Sequence, residues 1–197
     1  EPVLGASSPL HVLLLAAAAR LGADLPSAAF GLSLVADAGS IVLLASLLAR
    51  LGHPVAGLVA AGLFALMPRA LAAGVSGMET SLYVLAVLAA FAFQARERRA
   101  AAAAAAGLAA LLRPDGLLVA VVLLAGALAR RRLPLLEAAM VAAIVLPWVA
   151  MATWFFGSPL PQSVVAKALH ARGAIDSARA AAEYFGGAPS ALAISVA

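Results

Sequence analysis

The chain contains no cysteine and a single lysine, and only 11% of its residues are charged. Without cysteine there is neither a disulfide framework nor a thiolate metal site, and cysteine usage gives no reading of redox compartment. Hydrophobic residues make up 65% of the sequence. Soluble domains average roughly 45–50% apolar and about 25% charged residues, so an ordinary soluble domain is excluded. The net charge of +4 is small and sits in loops rather than on a basic face, so nucleic acid is not an expected partner. No glycine-rich nucleotide loop is present, which leaves a cytosolic nucleotide-sugar site without support. His11, His53 and His170 are too scattered for metal-ligand spacing, and no Ser-His-Asp arrangement can be drawn.

What remains is apolar sequence cut into lengths by Gly, Pro and charge clusters. Candidate spans run over 28–50, 54–73, 80–95, 100–112, 116–129 and 134–156, about six transmembrane helices or half-spans. The segment 9–22 has an apolar core about half a bilayer long, which fits an interfacial or re-entrant helix better than a crossing. The expected fold is therefore all-α, a polytopic transmembrane bundle with an interfacial juxtamembrane helix. The whole of 1–197 reads as a single membrane domain. The chain starts on Glu1-Pro2 without an initiator Met and stops at Ala197 inside a new apolar stretch, 191–197, so it reads as a piece of a longer protein.

Arginine placement orients the helices. Arg50, then Arg96, Arg98 and Arg99, then Arg130, Arg131 and Arg132 fall in alternate loops, which the positive-inside rule assigns to the cytoplasmic side. The loops with Glu79 and Asp115, the 157–190 segment and the 1–27 region are then external, provided that 9–22 does not cross. The 157–190 loop is expected to hold interfacial helices.

The external loops carry the chemistry-bearing residues. Glu79 precedes the span 80–95 and is open to two readings: a carboxylate that accepts a proton from a sugar hydroxyl or holds a divalent cation, or, with Ser76, a helix cap. Arg113 and Asp115 flank Pro114 at a turn, where they form either an ion pair for local order or, through the planar fork of Arg113, a phosphate ligand. Asp37 lies mid-span with Ser33 and Ser40 at helical spacing; it is expected to face the bundle interior and to find a partner, typically on a neighbouring helix, or stay protonated, the functional alternative being a proton or ion pathway. Lys167 is either a phosphate-binding point charge above the membrane or an ordinary solvated lysine.

Four stretches in order, Glu1 to His11, Ser76-Gly77-Met78-Glu79-Thr80, Arg113-Pro114-Asp115-Gly116 and Gly157 to Lys167, resemble the polytopic GT-C glycosyltransferases that use polyprenyl-phosphate sugars. The likeness is to the bacterial branch with the mycobacterial terminal arabinofuranosyltransferases and protein mannosyltransferase relatives. It implies an inverting transfer at the external face of the plasma membrane, from a polyprenyl-phosphate sugar to a glycan, lipid or protein acceptor of the cell envelope. It makes Glu79 the expected active-site carboxylate, with Arg113, Asp115, Lys167 and His11 as substrate-binding candidates. The family's catalytic aspartate would lie upstream of Ser7, outside this chain, which on its own is then expected to be inactive. No cofactor is required; a divalent cation such as magnesium near Glu79 is compatible with these residues. The competing reading is a polytopic transporter or lipid flippase with Asp37 as its coupling acid.

Overall fold

The computed structural model describes residues 7–158, and every described element is helical. They are α1 (Pro9–Arg20), α2 (Leu25–Arg50), α3 (Pro54–Leu66), α4 (Pro68–Ser76), α5 (Thr80–Ala95), α6 (Arg99–Leu112), a 3₁₀ turn over Pro114–Gly116, α7 (Leu117–Ala129) and α8 (Leu135–Phe156). Local sequence explains the boundaries. Pro9, Pro54 and Pro68 open α1, α3 and α4 at the first helical position, where the missing N–H costs nothing. The Asp24 carboxylate caps α2, accepting from the Ser27 backbone N–H at 3.1 Å and from its hydroxyl at 2.8 Å. The ends of α1, α2, α5 and α7 each close with the paired backbone bonds that follow a left-handed residue. That residue is Gly22 or Gly52 in the first two, but Glu97 and Arg131, at φ +57° and +54°, in the others.

Two helices, α2 and α8, are long and apolar enough to cross a membrane. The stretch expected over 54–73, as a span or paired half-spans, is a bent pair of helices. Pro68 breaks it into α3 and α4, bent by 57°, and the second limb continues to Ser76. The proline ring lacks the donor that would continue the helix, and the charged Arg69 follows it directly. The remaining apolar helices are shorter: α5, with 16 residues, is about 24 Å long, against ~30 Å of hydrocarbon.

The described interior is made of small residues. Ala36, Ala90, Ala102, Ala103, Ala106, Ala109 and Ala152 are almost fully buried, and the largest fully buried side chains are Ser33, Ser40 and Ser81. Large side chains point outward: Leu63, Val35, Leu118, Leu135 and Trp154 are all exposed. Such inverted packing suits lipid, where helices gain nothing by hiding leucine from the solvent and associate through close backbone approach. Gly57 shows how close. A methyl group there would lie 2.8 Å from the Ala45 carbonyl oxygen on α2.

Helix α6 lies centrally, against α5, α8, α7 and α1. Helices α2 and α5 run side by side in the same direction, Ala29 facing Gly77, Gly39 facing Leu85 and the Arg50 Nε donating to the Ala95 carbonyl at 3.2 Å. The loops consequently gather at two ends. One holds Arg50, the 96–99 turn and the 130–132 turn. The other holds Glu79 and the 113–116 turn. This is the alternation expected from arginine placement. The loop helices expected within 157–190, the helix start at 191–197 and Lys167 lie outside the described residues.

Candidate functional site

At the second end, the 3₁₀ turn after α6 sets Arg113 above the first turn of α5. Pro114 supplies the fixed φ of the turn, and Gly116 sits so tightly on the Ala109 peptide group that any side chain would collide with it. Arg113 is held from two sides. Its Nε donates to Asp115 Oδ1 at 3.2 Å, and its guanidinium carbon stands 5.5 Å from the centre of the Tyr83 ring. Both partners of the ion pair are about half exposed, 42% and 50%, so its stabilising value is small and its effect is to aim the guanidinium. The two terminal amino groups of Arg113 make no hydrogen bond to any described residue, which leaves the donor fork open for a phosphate or carboxylate.

Glu79 occupies the cap position of α5, yet its carboxylate makes no capping hydrogen bond, and its backbone is in the right-handed helical region. Ser76 does not cap either; its hydroxyl donates back to the Ala73 carbonyl at 2.7 Å. The capping reading of both residues is therefore corrected. A capping residue adopts an extended backbone that turns its side chain back to the free N–H groups, whereas Glu79 is already helical at φ −61°, ψ −11°. Glu79 and Tyr83 are one turn apart and share a face of α5. Among the described residues no hydrogen bond or ion pair joins Glu79 to Arg113.

Three buried polar atoms without a hydrogen-bond partner are found among the described residues: His11 Nδ1, Ser33 Oγ and Ser81 Oγ. His11 lies in the first turn of α1, Ser81 two residues after Glu79, and Ser33 one turn after Ala29, which faces Gly77. Helical serine usually bonds its own backbone, as Ser40 does to the Ala36 carbonyl at 2.8 Å. Ser33 and Ser81 leave that option unused. Each orphan costs about 1–3 kcal/mol, which a ligand or water reaching this end would relieve.

Beside these polar groups runs an apolar cavity of 580 Å³ between α1, α5 and α6. Leu10, Leu82 and Leu112 line it, next in sequence to His11, Ser81 and Arg113, and from there it extends along both helices to Phe93 and Ala101. Asp37 stands apart. It is partly buried on α2, with Oδ2 against Gly74 of α4 where a side chain would otherwise sit. It faces the neighbouring helix as expected, and among the described residues no hydrogen bond or ion pair joins its carboxylate.

Of the sequence-derived site residues, Arg113 and Asp115 are in contact, and Glu79 and His11 lie at the same end of the bundle. Tyr83 and Ser81 were missed. The chain matches no family model, no curated protein and no solved structure. Nor do the described residues make a metal centre: no three His, Asp or Glu side chains come together, and Asp115 is taken by Arg113.

Proposed function

We propose that the chain belongs to a membrane glycosyltransferase that moves a sugar from a polyprenyl-phosphate donor to a cell-envelope acceptor. The reaction takes place at the external face of a multi-pass plasma-membrane protein. The observation that supports this most is the position of Arg113, an aimed guanidinium at the end of α6, next in sequence to Leu112, which lines an apolar cavity. A polyprenyl phosphate has this polarity, an anionic head on a long hydrocarbon. In this reading the tail lies between α5 and α6 and Arg113 binds the phosphate, with Lys167 as a second cation. Glu79 accepts a hydrogen bond from the sugar or acceptor hydroxyl, and the upstream aspartate implied by the resemblance is the base. As the phosphate leaves it gains negative charge, which the Arg113 fork stabilises.

A second reading, a transporter or flippase, draws on one observation: Asp37 faces the broken α3–α4 limb, as a coupling acid at a discontinuous helix would. Sugar transfer from radiolabelled polyprenyl-phosphate donors, measured on the intact protein in membranes, separates the two. Glu79→Gln is expected to lower the rate about 100-fold with normal insertion, and Arg113→Gln to weaken donor binding. A wild-type protein that transfers from no donor, together with uptake abolished by Asp37→Asn, would replace the enzyme with the transporter.

A further inference from the structure

At the arginine-rich end, two short loops enclose a polar cleft of 190 Å³ lined by Gln94, Glu97, Arg99, Arg130 and Arg132. Not all the arginines of this end are equally available. Arg50 is committed to the Ala95 carbonyl, and Arg132 donates to Glu137 at 2.7 Å, a pair whose carboxylate is only 10% exposed. Arg99 and Arg130, from different helices, line the cleft with no carboxylate or carbonyl partner among the described residues. Both loops turn through left-handed, non-glycine residues, Glu97 and Arg131. Glycine is the residue expected at those positions, and the tight turns bring Arg99 and Arg130 to the same opening.

The cleft continues into a second cavity of 470 Å³ that shares Gln94, Glu97 and Arg130 with it. The far wall of this cavity is apolar, formed by Leu47, Leu51 and Phe91 on the outward faces of α2 and α5. Leu51 is 58% exposed. Cationic side chains at one end and exposed hydrocarbon at the other form a single amphiphilic surface, at the end opposite Arg113.

We propose that Arg99 and Arg130 bind the phosphate diester of an anionic membrane phospholipid, with an acyl chain against Leu51 and Phe91. Basic clefts between helices at a membrane surface hold such headgroups by charge, and each arginine contributes about a fivefold gain in affinity. The net charge of the cleft is positive with Glu97 included, since the charge of Arg132 is offset by Glu137. The site is independent of the glycosyltransferase reading and uses none of its residues.

The test is lipid retention by the intact protein in detergent micelles, read by native mass spectrometry during titration with phosphatidylglycerol or phosphatidylcholine. Wild type is expected to retain phosphatidylglycerol in preference. Arg99→Gln with Arg130→Gln should weaken that retention roughly 25-fold, and Arg99→Lys with Arg130→Lys should keep most of it. Arg96→Gln with Arg98→Gln removes the same charge from the same end outside the cleft and should change little. Equal loss in that control, or full retention in the Arg99/Arg130 glutamine variant, would overturn the site. So would displacement by millimolar inorganic phosphate without any preference between the two lipids, which would make soluble phosphate the ligand.

Discussion

Asp115 and Tyr83 divide the work of placing Arg113. The carboxylate fixes the azimuth of the guanidinium through Nε, and the ring limits how far it can drop toward the helix. Because the ion pair is half exposed, Asp115→Asn should alter thermal stability by less than about 0.5 kcal/mol. Under the proposed reaction it should nonetheless cut sugar transfer about tenfold, because a misplaced positioning group costs rate rather than fold. Thermal unfolding and transfer measured on one preparation check both halves; a parallel loss of both would make the pair structural. The Arg-Pro-Asp turn was legible in the sequence because proline and glycine bracket it within four residues. Tyr83 and Ser81 were not, since what they face depends on the pairing of α5 with α6, which no local spacing encodes. For Glu79 the sequence left the cap and the free carboxylate both open, because its position before a helix is local and the direction of its side chain is not.

Most helix boundaries were legible for a physical reason: a proline, glycine or charge cluster interrupts each apolar run. The expected 80–95 coincides with α5, and 28–50, 100–112, 116–129 and 134–156 lie within three residues of α2, α6, α7 and α8. The stretch expected over 54–73 is bent at Pro68 and runs on to Ser76, three residues past the expected end. The contact between α2 and α3 offers a clean test of how closely these elements are fitted. Gly57→Ala places a methyl group against a backbone carbonyl that cannot yield, so α3 must move off α2, at a cost of about 1–3 kcal/mol. On the same helix, the space around Gly62 is open, and Gly62→Ala should be neutral or slightly stabilising through helix propensity. Unfolding in micelles should separate the two variants, and similar midpoints would refute the close α2–α3 approach.

At the scale of the molecule, packing among the described residues is inverted relative to a soluble protein, and sensitivity to substitution should be inverted with it. Ala106→Leu, at a fully buried position in the α6 core, should overpack the bundle by about 1–3 kcal/mol, whereas Leu63→Ala, on the outside of α3, should change little. A deep substitution scan read by folded yield checks this; tolerance at the buried alanines combined with loss at the exposed leucines would point to water rather than lipid as the surrounding solvent. The split of the loops between two ends has an electrical meaning as well. Seven arginines, Arg50, Arg96, Arg98, Arg99 and Arg130 to Arg132, share one end with only Glu97 and Glu137. Each elementary charge taken across a membrane at 100 mV exchanges about 2.3 kcal/mol with the field. In the proposed orientation, an energised membrane, negative inside, would hold the arginine end inside with a restoring energy comparable to the stability of a whole domain. The same potential would then keep the Arg113 end facing outward.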